Sequence, residues 1–134
     1  TFQDYASRGL FLEQGMPHGY HYATLRSEIL PDRLNISDIE VVGVAQVKER
    51  ARTDPSIKAV NAFVTAADFE TLRRRIVDRD PTIAPEVIER RLETARMEII
   101  RGPELADKII YNEDGKLEEA VDELERFLFP NGRE

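Results

Sequence analysis

The sequence contains no cysteine, only four lysines among its 19 basic residues, and no apolar run long enough to cross a bilayer. The missing thiols exclude a disulfide framework, a thiolate zinc site and a cysteine nucleophile. No secretory h-region is present either, so no membrane span or signal is read in these residues, and a cytoplasmic location is expected. None of Lys48, Lys58, Lys108 and Lys116 follows a glycine-rich turn. With neither GxxxxGK[ST] nor GxGxxG present, the chain as written has no triphosphate cradle of its own. GxSxG and a serine–histidine–acid arrangement are also absent. A net charge of −7 and a pI near 5.0 argue against general nucleic-acid or anionic-membrane binding, both of which want a broadly positive face.

What the sequence does have is arginine. Fifteen are present, and eight fall between Arg73 and Arg101, against six carboxylates in the same stretch. A guanidinium makes planar, bidentate contacts to phosphate or carboxylate that an ammonium cannot. These arginines flank a short loop broken by Pro81 and Pro85, with helical patterning on both sides. The arrangement reads either as a mobile anion clamp or as two solvated helix faces. At 134 residues, 41% apolar and 34% charged, the chain is the size and composition of one soluble domain. It opens on Thr1 in what reads as the middle of a helix, which suggests a fragment or a processed chain.

Apolar spacing predicts a helix from Phe2 that closes near Gly9, a short strand at Phe11–Leu12, and turn material from Gly15 to Gly19. Tyr20 to Thr24 reads as a second strand, followed by a brief helix ending at Pro31. Ile39 to Val44 (IEVVGV) reads as a strand buried on both faces. Val44, Val47 and Ala51 then start a helix that stops at Asp54–Pro55. Ala59 to Val64 is the next expected strand. Two helical stripes follow, Phe69 to Val77 and Val87 to Ile99, the second stopping at Gly102–Pro103. Lys108 to Asn112 is a strand and Leu117 to Leu128 a final helix. Strands alternating with helices imply an α/β fold with a parallel sheet flanked by helices.

In such sheets ligands sit beyond the carboxyl ends of the strands, which singles out Glu13, Asp38 with Glu40, Thr65 and Asn112. Glu13 directly follows Phe-Leu, so it lies near buried surface and needs a partner. That partner is either a neighbouring arginine or an amidine-like edge such as that of guanine. His18 and His21 would hold a metal only with a third ligand, and none is evident nearby. Tyr20 and Tyr22 share one side of an extended segment, where they either pack or offer a hydroxyl to a phosphate.

Taken in order, Glu13, Tyr22, Thr24, the Arg79/Arg91 pair and Asn112 resemble guanylate kinase. LFLEQGMPHGYHYAT is similar to the family's EFIEWAxxxGxxYGT, and SDIEVVGVAQVKER to its strand ending in DxxG. TAADFETLRRRIVDRDPTIAPEVIERRLETARMEI matches its PPSxEELxxRLxxRGxxxxExIxxRLxxAxxE. DKIIYNEDGKLEEAVDELERFL matches DxVIVNDDLDxAxxEL. The resemblance runs from Phe2 to Phe129 and implies a P-loop NTPase-like guanylate kinase fold in a single domain spanning 1–134. Residues 1–38 would form the GMP-binding part, 39–72 and 102–129 the core, and 73–101 the lid helices and loop.

It further implies ATP-dependent phosphorylation of GMP to GDP, with Mg2+. Glu13 would recognise guanine with Thr24 assisting, and Tyr22 would bond the GMP phosphate. Asp38 and Glu40 would lie near the GMP and magnesium region. Arg79 and Arg91 would close on the nucleotide phosphates, and Asn112 would help hold the adenine end of ATP. Arg73, Arg74, Arg75, Arg96 and Arg101 are then expected to be surface residues.

The chain also departs from the pattern. The family's first strand and phosphate loop correspond to nothing after Thr1, and Ala23 and Asp80 stand where glycine is usual. Val41–Val42 replaces Met/Val–Gln, and the stretch from Thr24 to Asp38 is short. The lid is one residue longer before Arg91, which leaves Arg90 as a rival. Scaffolding proteins keep such domains as non-catalytic modules for nucleotide or phosphopeptide binding, and that is the alternative to an enzyme. A purely architectural likeness is the third possibility.

Overall fold

A computed structural model describes residues 1–132 of the protein. Two compact units divide it, 1–59 and 60 onward.

In the first unit, α1 (Phe2–Ser7) is closed at its start by a capping box between Thr1 and Asp4. Phe2 and Tyr5 project from α1 onto buried Phe11, with ring centroids 4.8 and 6.2 Å away. Phe11 begins β1 (Phe11–Gly15), which pairs antiparallel with β2 (Tyr22–Leu25). The connection takes a short 3-10 turn at Pro17–Gly19, and a second follows β2 at Arg26–Glu28. A β-bulge lies between Phe11 and Glu13. The unit ends with α2 (Val41–Thr53), which packs on β1. Arg26 ties the exit of β2 to the C-cap of α2 by an ion pair with Asp54 at 2.9 Å.

In the second unit, β3 (Ala62–Thr65) and β4 (Lys108–Tyr111) form a parallel pair in the register Ala62 to Lys108 through Thr65 to Tyr111. The crossover between them is two helices, α3 (Phe69–Arg79) and α4 (Pro85–Leu105), and α5 (Leu117–Leu128) packs on β4. Leu92 of α4 and Ile110 of β4 are fully buried, and Ala66, Ala95 and Ala120 are buried as well. Asp68 caps α3 by accepting a hydrogen bond from the Thr71 N–H, and Pro85 opens α4, where its missing N–H costs nothing.

The protein is thus mixed α/β with a small parallel sheet and helices, and the expected sheet is reduced. Ile39 to Val44 is not a strand. Its apolar residues open α2 from Val41, and Val42 is exposed. A six-residue apolar run is ambiguous between strand and helix, and here no turn signal separates it from the helix-forming AQVKERA that follows. The expected strand beside Asp38 and Glu40 therefore disappears. Both residues precede α2, with Glu40 as its N-cap.

Smaller corrections concern ends. The second strand starts at Tyr22 rather than Tyr20, the expected helix before Pro31 is one 3-10 turn, and the third strand starts at Ala62. α4 runs through Pro103 to Leu105, because proline's fixed φ is helical and only one hydrogen bond, to the Ile99 carbonyl, is given up near the helix end.

Candidate functional site

Glu13 is the one buried charged side chain among the described residues, at 6% exposure. The pairing of Glu13 with Thr24 in the β1–β2 register puts both side chains on one face of the ribbon. The Thr24 hydroxyl donates to Oε1 of Glu13 at 2.6 Å. No cation pairs with Glu13 among the described residues. Of the two partners open to it from the sequence, the arginine is not the one used.

The other carboxylate oxygen lies against α2. A Cβ built on Gly43 would stand 2.7 Å from Oε2 of Glu13, so only glycine leaves that oxygen where it is. Gly43 stands in the first turn of α2, where glycine still gives up more backbone entropy than alanine. One turn on, the Gln46 carboxamide closes on the backbone of Gln14. It accepts from the Gln14 N–H at 3.0 Å and donates to the Gln14 carbonyl at 2.7 Å.

Tyr22 shares the face of Thr24, two residues along β2, and pairs with Gly15 across the ribbon. Its ring is 60% exposed. Gly15 leaves its own side-chain place open, and the carboxylate of Glu40 fills it, with Oε1 only 1.7 Å from where a Cβ would stand. Glu13, Tyr22, Thr24 and Glu40 are therefore brought together at one end of the β1–β2 ribbon. Asp38 is exposed in the loop that leads to Glu40. His21 stacks on Phe2 at 4.8 Å, and His18 takes a left-handed turn conformation at φ 53°.

The second unit holds the arginines. Arg73, Arg96 and Arg101 pair with Glu70, Glu93 and Glu104 one turn away, and Arg96 also lies over the Phe69 ring. Arg74 and Arg75 both reach Asp114, and Arg75 also donates to the Asn112 carbonyl at 2.7 Å. Arg75 is thus a half-buried bolt between α3 and the loop after β4. These donors hold the Asp114 carboxyl below the usual aspartate range, the Arg75 hydrogen bond first. Asn112 lies beyond the carboxyl ends of the parallel pair, its N–H bonded to the Thr65 carbonyl at 2.8 Å.

Arg79, Arg90 and Arg91 differ from the others, since none has an ion pair or hydrogen bond among the described residues. Arg79 ends α3, and residues 80–84 turn into α4. Asp80 shapes that turn by accepting from the Thr82 N–H and hydroxyl at 3.1 and 2.7 Å. Those bonds, and then the charge of Arg91, hold its carboxyl below the ordinary value. Arg91 is half-buried and within electrostatic reach of the turn, whereas Arg90 is exposed.

Over 118 residues, 85% of this chain, the sequence is 36% identical to a guanylate kinase of Myxococcus xanthus. It is 34% identical over 131 residues to that of Anaeromyxobacter dehalogenans, and 34% over 136 residues to that of Syntrophotalea carbinolica. These alignments take in 95% and 98% of the chain. The chain is a relative of the guanylate kinases. It covers 54%, 55% and 60% of those three proteins, a little over half the length of the curated relatives it matches. No protein-family model matches it.

Against the guanylate kinase resemblance, Gly43, Gln46 and the Arg75–Asp114 bolt were missed from the sequence. For the first two a signal was there: a glycine and a glutamine three apart share a helix face. It is hidden because the expected strand takes in Gly43 and the expected helix takes in Gln46. For Arg75 no signal existed, since Asp114 lies 39 residues away.

Proposed function

We propose that this chain carries the GMP-recognising and lid portions of a guanylate kinase, which phosphorylates GMP to GDP at the expense of ATP. The observation that carries the reading is the buried Glu13 carboxylate, bonded to a hydroxyl and to no cation. A carboxylate in that setting keeps acceptor capacity for a ligand that brings two parallel N–H donors, as the guanine edge does. Thr24 orients the carboxylate, and Tyr22, exposed on the same face, offers its hydroxyl to the GMP phosphate.

In the reaction, an oxygen of the GMP phosphate forms a bond to the γ-phosphorus of ATP as the bond to the departing ADP oxygen breaks. Charge builds on the transferring phosphoryl oxygens, and unpaired guanidiniums stabilise it. Arg79 and Arg91 are the arginines for that role; both lack an anionic partner among the described residues. Asn112 is assigned to the adenine end of ATP. Mg2+ binds through few protein carboxylates and several phosphate oxygens, and Asp38 and Glu40 are assigned to the GMP-binding region near it rather than as its ligands. ATP phosphate binding requires a loop that these 134 residues do not encode. Within the one domain that the resemblance implies, 1–38 would bind GMP and 73–101 would form the lid.

Ala23 and Asp80, both standing for glycine, favour a second reading as a non-catalytic nucleotide- or phosphopeptide-binding module. A coupled assay for GMP-dependent ADP release by the full-length protein separates the two. Turnover supports the kinase. GMP binding by calorimetry without turnover supports the module, and neither signal removes both.

A further inference from the structure

We infer that Gly43 and Gln46 of α2 are positioning residues for the Glu13 carboxylate, the first by the space it leaves and the second by the strand it holds. The inference rests on the reading of Glu13 as the base-recognising group of a GMP site.

The argument for Gly43 is steric. Ordinary contact with a Cβ begins near 3.4 Å, and Oε2 of Glu13 lies 2.7 Å from the point where alanine would place one. Glu13 must therefore retreat by about 0.7 Å (2.7 against 3.4 Å) if any side chain is added. The carboxylate is the far end of a flexible side chain, so it can move without unfolding the helix. It cannot move without disturbing the 2.6 Å bond from Thr24, because the group is buried and held on its other oxygen. Gly43 is buried in the first turn of a 13-residue helix, where an alanine would lose less backbone entropy on folding.

The argument for Gln46 is one of hydrogen-bond pattern. Successive residues of a strand direct their N–H and C=O groups to alternate edges. Those of Gln14, next to Glu13, point away from β2 toward an edge with no neighbouring strand. The Gln46 carboxamide meets both, at 3.0 and 2.7 Å, and substitutes for a strand residue there. It thereby fixes the strand where Glu13 departs from it.

The test compares the full-length protein with Gly43→Ala and Gln46→Leu by two measurements. One is calorimetric titration of GMP; the other is the carbon-13 resonance of the Glu13 side-chain carboxyl at neutral pH. Gly43→Ala should shift that resonance and weaken GMP roughly ten- to a hundredfold, the scale on which a misplacement of this size acts. In the kinase assay the loss should fall on KM for GMP, with kcat and the affinity for ATP near wild type. Gln46→Leu should move the same quantities in the same direction by less. In a Glu13→Asp background, where the carboxylate is shorter, Gly43→Ala should cost less than it does beside Glu13.

An unshifted Glu13 resonance in Gly43→Ala, or an equal penalty in the Glu13→Asp background, overturns the positioning role. A shifted resonance in a protein whose GMP affinity is absent, or indifferent to Glu13→Gln, upholds that role and removes the GMP reading instead. If Gly43→Ala does not fold, Gln46→Leu carries the test alone, and an unshifted resonance there overturns the inference.

Discussion

Glu13 and Arg91 carry opposite charges and meet opposite surroundings. The carboxylate is buried, held by a threonine across the strand pair and wedged against a glycine, so its geometry is set before any ligand arrives. Arg91 is half-buried beside a tight turn, and Asp80 of that turn interacts with it through charge alone. A recognition group gains from being fixed, because discrimination depends on where its acceptors point. A group that meets developing charge gains from being unengaged, because a preformed ion pair would compete with the substrate. In the second unit most other arginines already have carboxylate partners, which leaves Arg79, Arg90 and Arg91 as the unengaged members of the 73–101 cluster among the described residues.

Breaking the contrast starts at Arg91. Arg91→Ala should lower kcat by about a thousandfold or more, as for arginines that meet a transferring phosphoryl group, while GMP affinity holds. Arg79→Ala should act in the same direction. Steady-state kinetics paired with GMP calorimetry checks this, and equal losses in rate and affinity would remove the lid assignment. Glu13→Gln should act the other way round. It should weaken GMP about ten- to a hundredfold, the worth of a charge-assisted hydrogen bond, and spare the rate at saturation.

Arg75→Ala tests whether the bolt is structural. Urea unfolding should show a loss of about 1 kcal/mol, against a few tenths for the exposed Arg73→Ala. The smallest effect is one of pH. Asp114 titrates below an ordinary aspartate in the folded protein, chiefly through the Arg75 hydrogen bond. Its contribution to stability is therefore complete above about pH 4 and fades as pH falls through the lower folded value. The stability difference between wild type and Asp114→Asn should be constant near neutrality and close in acid. A difference that grew in acid would contradict the ion pairs drawn for Asp114.

Much of the fold was legible before the structure, because helical stripes of ten residues or more carry their own period. α3, α4 and α5 emerge within a few residues of where their apolar spacing puts them, as do β3 and β4. The failure at Ile39 to Val44 is instructive. An apolar run that short has no period, and what decided it was the helix-forming segment downstream. The site was legible in part. Position along the chain marks Glu13, Thr24 and Tyr22, but burial, the hydroxyl partner and the absence of an arginine depend on register. Arg75 was read as surface because its partners lie far along the chain.

By itself the sequence determined the chemistry on offer. Without cysteine and with few lysines, it left carboxylates and guanidiniums as the working groups, and the order of its motifs carried the kinship with guanylate kinases. Only the tertiary structure decided which of those groups are engaged. It placed Thr24 on Glu13, Gly43 beneath its second oxygen, Glu40 in the space of a missing side chain at Gly15, and five arginines of the 73–101 segment on carboxylates. The physical reason is range. Composition and periodicity are local, whereas desolvation and ion pairing depend on neighbours that only folding brings within a few ångströms.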